Sequence, residues 1–236
     1  IRIDGWQPRN FSRRYRGTVT LEQGLSQSIN TVAVQLGQRV GVKRLIKIAR
    51  RLGVTSKMRR DLSIALGASE ISLLELTGAY APFANGGTGV WPYAIRAIKN
   101  KRGKVLYRRS GSGPGRVVAP QHVAAMNQMM ARVLKDGTGK KAKLHRPAAG
   151  KTGTSQNFRD AWFVGYTADF VTGVWMGNDK GSSMKRVTGG GLPATFWQRF
   201  MTRAHQGMPV KALPGLAPSH PTPDEKGFWE RLFSAL

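Results

Sequence analysis

Three observations in this sequence predict an α+β fold, an antiparallel sheet with helices flanking it. Helix-patterned segments fill most of the first 83 residues and return at 120–134. Two apolar, aromatic strand segments, 161–166 and 170–176, stand back to back across the turn Thr167-Ala168-Asp169. Between these regions, residues 93–109 alternate loosely about Asn100-Lys101-Arg102-Gly103. A chain of 236 residues with 40% hydrophobic side chains can bury a sizeable core.

Thr20-Leu21-Glu22-Gln23 has the form of a capping box, with Thr20 as N-cap and Gln23 three positions on, so a short helix is expected to about Ser26. A second helix starts after Asn30, carries Val32, Val34, Leu36 and Val40 on an apolar surface, and stops at Gly41. The segment 43–52 is amphipathic. Leu45, Ile46, Ile48, Ala49 and Leu52 oppose a Lys/Arg face, and Gly53 ends it. An apolar helix over 71–83 is stopped by Asn85-Gly86-Gly87. The alternation over 93–109 predicts a hairpin on the edge of a sheet, and 110–115 is a Gly/Ser loop. Pro120 sits near the first turn of a helix over 120–134, with Val123, Met126, Met129, Met130 and Val133 on its core side. Gly137-Thr138-Gly139 closes that helix. After Gly189-Gly190-Gly191, Pro193 marks the first position of a last helix bearing Phe196, Trp197, Phe200 and Met201. The division expected is a domain over 1–206 and a Pro-rich tail over 207–236.

There is no cysteine, which excludes disulfides, thiolate metal sites and a cysteine nucleophile. The histidines His122, His145, His205 and His220 have no ligand-like spacing, so neither a metal nor any other cofactor is expected. No run approaches the roughly 18 apolar residues of a membrane span. The opening Ile1-Arg2-Ile3-Asp4-Gly5-Trp6 reads as the interior of a domain, and the sequence is expected to be a C-terminal fragment. Net charge is +26, concentrated in 1–60 and 96–146. Such a field attracts nucleic acid, anionic lipid or an acidic wall polymer, or is simply a solvated basic surface.

Two triplets carry chemical information, Ser28-Ile29-Asn30 and Lys151-Thr152-Gly153-Thr154. Taken singly, the first is explained by helix capping and the second by a turn. Their order, separation and settings change that. One lies between a capped helix and a long apolar one, and the other ends a small-residue run just before a strand pair.

Ser-x-Asn followed by Lys-Thr-Gly is part of the three-motif signature of penicillin-recognising serine enzymes. The surrounding text resembles class A penicillin-binding proteins: Gly5-Trp6-Gln7-Pro8-Arg9-Asn10, Ser28-Ile29-Asn30-Thr31-Val32-Ala33-Val34 and Phe83-Ala84-Asn85-Gly86-Gly87. It continues through Ala149-Gly150-Lys151-Thr152-Gly153-Thr154, Asp160-Ala161-Trp162-Phe163-Val164-Gly165-Tyr166 and Thr188-Gly189-Gly190-Gly191-Leu192-Pro193-Ala194, in family order from about residue 4 to 204.

That resemblance implies a penicillin-binding transpeptidase fold and serine acyl transfer on stem peptides ending in D-Ala-D-Ala. Lys151, Thr152 and Thr154 would hold the substrate carboxylate by charge-assisted hydrogen bonds from a strand edge. Gly153 would let the strand approach the ligand, and the Thr154 N–H would be one oxyanion donor. Ser28 would relay a proton to the departing D-alanine, while Asn30 would bond the substrate backbone and the catalytic lysine. The implied partners are stem peptides, their lipid-linked precursor and β-lactams. The implied location is the outer face of the bacterial inner membrane, with a glycosyltransferase domain and a membrane anchor upstream. The basic surface would meet anionic membrane or wall polymer, and no nucleic acid is expected.

The family's first motif, Ser-x-x-Lys, is missing where it belongs: none of the 27 residues before Ser28 forms it. The literal match Ser182-Ser183-Met184-Lys185 follows Lys-Thr-Gly in a Gly-rich loop and is read as a decoy. The chain alone is therefore expected to be inactive. Two rivals remain open: a β-lactamase or β-lactam sensor on the same fold, and a basic nucleic-acid-binding module.

Overall fold

Reciprocal capping starts the first helix, α1 (Leu21–Ser26), as its sequence predicts. Gln23 N donates to Thr20 Oγ1 at 3.1 Å and Thr20 N to Gln23 Oε1 at 3.0 Å. The computed structural model describes residues 2–3, 5–111 and 113–216. Next come α2 (Asn30–Val40) and α3 (Val42–Arg51), separated by Gly41 at φ 86°, a value that favours glycine. Of the residues expected on its apolar surface, Leu36 and Val40 are exposed, whereas Val34 is fully buried. Gly37 explains the close packing at mid-helix: a Cβ there would lie 2.8 Å from Ala65 Cβ, in a 3₁₀ turn (Leu62–Leu66) that sequence patterning does not reveal.

α4 (Leu73–Ala84) starts two residues later than the apolar pattern predicts, because Ser72 caps it and Glu75 completes the box. Glu75 also accepts the Thr55 and Ser56 N–H groups at 2.8 and 2.9 Å. With both hydroxyls added, these bonds hold its carboxyl well below the usual range.

The predicted hairpin forms, β1 (Ala97–Lys99) with β2 (Val105–Arg108), but not on the edge of the main sheet. It is a separate two-stranded ribbon, exposed throughout. Seven Lys/Arg and no acid lie in 96–109, and such strands are poor candidates for burial against a core.

α5 (Pro120–Lys135) precedes a three-stranded antiparallel sheet of β3 (Ala149–Thr154), β4 (Asp160–Tyr166) and β5 (Val171–Gly177), in that order. The last helix is α6 (Leu192–Ala204), with Pro193 at its second position rather than its first. Alternation on β4 sends Phe163 to one face and Tyr166 to the other. On the first face Phe163 and Val174 pack with Ala194, Trp197 and Met201 of α6. Phe163 and Trp197 meet edge to face at 5.2 Å, and Trp197 Nε1 donates to Gly165 O and Thr172 O at 3.2 and 3.1 Å. Phe196 and Phe200 stay exposed on the outer side of α6. On the second face Ala149 and Tyr166 pack with Ala84 of α4, Met130 of α5 and Leu213.

Leu213 corrects the predicted boundary at residue 206. It is 1% exposed, and Asn127 Nδ2 donates to Pro214 O at 2.8 Å, so the chain to residue 216 belongs to the packed unit. The remaining predicted tail, 217–236, lies outside the described residues. Among the described residues no helix is long and apolar enough to cross a membrane.

Fully buried Asn127 satisfies three groups: Pro214 O, Phe83 O at 3.0 Å, and the Tyr166 hydroxyl, which donates to Asn127 Oδ1 at 2.6 Å. Asn127→Ala strands all three, and a loss of about 2–4 kcal/mol in unfolding free energy is expected from urea denaturation. A loss below about 1 kcal/mol would show that water replaces the amide.

Candidate active site

Two contacts fix the approach of α1 to the end of α5. Thr138 N donates to Ser26 O at 3.0 Å, and Gln27 Nε2 to Asp136 O at 3.1 Å. Gly137 makes the first possible, since a Cβ there would sit 2.4 Å from Ser26 O. The chain then turns at Ser28, whose φ of 52° is uncommon outside glycine. Ser28 N and Ile29 N return to Leu25 O and Gly24 O at 3.1 and 2.9 Å, holding that conformation.

This turn brings Ser28 to Lys151. Lys151 Nζ donates to Ser28 Oγ at 2.7 Å, joining residues 123 apart in sequence, and to Thr152 O at 3.0 Å. An ammonium has three N–H donors, so one remains for a ligand. Burial favours the uncharged amine and lowers the Lys151 pKa to about 8.

β3 pairs with β4 on one side and carries no strand on the other among the described residues, so Lys-Thr-Gly lies on a sheet edge. Thr152 Oγ1 shares a 2.6 Å hydrogen bond with Thr138 Oγ1. Thr154 Oγ1 accepts Gly189 N at 3.1 Å, leaving its own hydroxyl proton free to donate. At Gly153 the observed crowding comes from the sheet itself: a Cβ would stand 3.2 Å from Trp162 Cβ on β4. Asn30, the first residue of α2, donates Nδ2 to Arg9 O at 2.8 Å and has no bond to Ser28 or Lys151.

The structure thus joins Ser28 to Lys151 directly, sets Thr152, Gly153 and Thr154 on the same strand, and leaves Asn30, two residues after Ser28, bonded to Arg9 instead. Ser182 and Lys185 lie on an exposed loop, where no buried environment supports a nucleophile. Sequence patterning assigns no site role to Thr138 or Gly189. Their only signal is glycine around each: Gly137 and Gly139, and the Gly189-Gly190-Gly191 run. A Cβ at Gly189 would lie 2.2 Å from Trp162 O and 2.4 Å from Gly153 O, so only glycine fits against β3 there.

Residues 1–186 match the family model described as the penicillin binding protein transpeptidase domain. Penicillin-binding protein 1A of Aquifex aeolicus is 36% identical over 200 residues, covering 84% of this chain and 27% of that protein. The same-named protein of Neisseria lactamica is 35% identical over 216 residues, covering 88% of this chain and 27% of its own length. Among solved structures, penicillin-binding protein 1A from Haemophilus influenzae superposes with a TM-score of 0.78 at 25% identity, over 91% of this chain and 39% of that one. The PonA1 protein from Mycobacterium tuberculosis, solved in complex with penicillin V, gives 0.76 at 24% identity, over 94% and 68%; at that identity it supports the fold. This chain therefore spans about a quarter of the length of the two curated relatives named.

With its pKa near 8, Lys151 carries its charge below that pH and loses it above. Affinity for a carboxylate-bearing ligand should then fall about tenfold per unit as pH rises beyond 8. Lys151→Arg, which keeps its charge, should remove that fall in a calorimetric titration. A flat wild-type profile to pH 10 would contradict the assignment.

Proposed function

The chain belongs to the penicillin-binding protein transpeptidase family, alongside class A relatives, and from this premise we propose that its site serves D,D-transpeptidation of peptidoglycan stem peptides. The observation that carries the proposal is the 2.7 Å bond from Lys151 Nζ to Ser28 Oγ.

In this mechanism a serine of a Ser-x-x-Lys segment, which none of the residues before Ser28 supplies, attacks the penultimate D-alanine carbonyl and gives its proton to the lysine of that segment. Lys151 binds the terminal carboxylate with its remaining N–H, and the Thr154 hydroxyl adds a second donor. Thr152 and Thr138 share one hydroxyl pair, so a single proton of that pair is also free for the ligand. A strand-like peptide can lie along the β3 edge, with the Thr154 N–H as an oxyanion donor. Because Ser28 accepts from Lys151, its own O–H can be given to the nitrogen of the departing D-alanine. Lys151 then reprotonates Ser28, a transfer favoured by its lowered pKa, and is recharged by the proton that the Ser-x-x-Lys lysine took from the nucleophile. The amine of a second stem peptide attacks the acyl-enzyme and forms the cross-link. Asn30 stands beside this path, with its Oδ1 available to the lysine of the missing motif.

β-Lactams, which mimic the D-Ala-D-Ala terminus, are the expected inhibitors. The parent protein is proposed to be bifunctional, with a peptidoglycan glycosyltransferase acting on lipid-linked precursor. It is proposed to act at the outer face of the inner membrane through an anchor elsewhere in the protein. The basic surface suits anionic lipid or wall polymer.

Fluorescent penicillin tests this. A chain extended to include Ser-x-x-Lys is expected to label at that serine, while the 236-residue chain stays unlabelled. Ser28→Ala in the extended protein should slow acylation by about 10²–10⁴-fold. Labelling at Ser182 or Ser28, rapid release of the adduct, or none in the extended protein would each overturn the proposal.

A further inference from the structure

α2 begins without a cap of its own, since its N-cap residue is Ile29 and makes no side-chain bond. The cap comes from Asn10, 21 residues earlier. Asn10 Oδ1 accepts the Thr31 N–H at 3.1 Å and the Thr31 hydroxyl at 3.3 Å. Its Nδ2 donates to Arg14 O at 2.9 Å, and Arg13 N donates to the Asn10 backbone carbonyl at 3.0 Å, so side chain and backbone of Asn10 together tie down its turn. Asn10 is 7% exposed, a low value for asparagine.

The neighbouring carbonyl acts on the preceding residue of the helix. Arg9 O accepts Asn30 Nδ2 at 2.8 Å. A carbonyl can only accept, so Asn30 must turn its nitrogen toward Arg9, which leaves Oδ1 for an ammonium or N–H donor. Residues 9 and 10 thus grip the first two residues of α2. Ser28 precedes them with only Ile29 between, in a left-handed conformation that persists where its surroundings hold it. On its other side it is held by the Leu25 and Gly24 carbonyls.

Resting on the acyl-transfer chemistry above, we propose that Asn10 is a positioning residue of the site: a remote cap on α2 that sets Ser28 and Asn30 against Lys151 without touching substrate. The cap defines the helix end at its second N–H, where an orphan donor would otherwise fray the first turn. A fraying turn moves Ser28 Oγ away from a 2.7 Å contact, and displacement on the ångström scale weakens proton relay steeply. The noncovalent grip on a carboxylate comes from β3 and is untouched.

The experiment compares wild type, Asn10→Ala and Asn10→Asp in the full-length parent protein, measuring penicillin acylation as a rate constant and a binding constant separately. Asn10→Ala is expected to lower the acylation rate constant on the order of 10- to 100-fold while the noncovalent constant changes little. Asn10→Asp keeps the acceptor and should recover most of the rate, because water can replace the bond to the Arg14 carbonyl. Amide hydrogen exchange at Thr31 should show protection lost in the alanine variant and kept in the aspartate variant. An unchanged acylation rate constant in Asn10→Ala, a loss confined to binding, or full Thr31 protection would each overturn the proposal. If wild type is not acylated, the acyl-transfer assignment itself fails, and the Thr31 exchange still decides whether Asn10 is the cap. Asn10→Gln, with the same groups one methylene further out, replaces the alanine variant if that does not fold.

Discussion

The 2.7 Å bond between Lys151 and Ser28 sets the terms for the rest of the structure. Burying an ammonium is unfavourable unless it is hydrogen-bonded, and Lys151 resolves this with two acceptors, the Ser28 hydroxyl and the Thr152 carbonyl. Desolvation still lowers its pKa to about 8, close enough to neutrality for a proton to leave and return. Everything that places Ser28 therefore matters: the Thr20 capping box, the left-handed turn, the Asn10 cap, and the docking of α1 on α5 through Ser26 and Gln27.

A second constraint is that β3 must remain an open edge while being rigid. Edge strands invite unwanted pairing, and here the ends of two loops crowd the strand instead. Thr138 reaches Thr152 from the end of α5, and Gly189 reaches Thr154 from the loop before α6. Gly137 and Gly189 tolerate this because any side chain would overlap a backbone oxygen within 2.4 Å. Behind the strand, Phe163 and Trp197 on one face and Tyr166 with Asn127 on the other keep the sheet from shifting.

The scarce acids are used locally. Glu22 lies in the first turn of α1, Glu75 closes the α4 box, and Asp169 pairs with Lys211 at 2.5 Å. Among the described residues most of the positive charge has no acidic partner, and the β1–β2 ribbon displays it openly. Loss of symmetry between acids and bases shapes the surface field rather than the fold.

Local chemistry was legible in the sequence wherever it depends on near neighbours. The Thr20 box, the Gly41 break, the strands around Thr167 and the helix of Pro120 follow from patterns a few residues long. Motif order assigned Ser28 and Lys151 to one site, but their direct bond was not legible, because nothing within either triplet specifies a partner 123 residues away. Other features required tertiary structure. Exposure of Leu36 and Val40, the detachment of the β1–β2 ribbon, and the packing of Leu213 depend on which surfaces meet, which periodicity does not encode. The same holds for Thr138, Gly189 and Asn10, ordinary turn residues in sequence that gain roles from polar groups brought within about 3 Å by folding. The sequence by itself determined the residue types and their order. Tertiary structure decided which hydroxyl meets which amine, since a hydrogen bond depends on distance in space and not on separation along the chain.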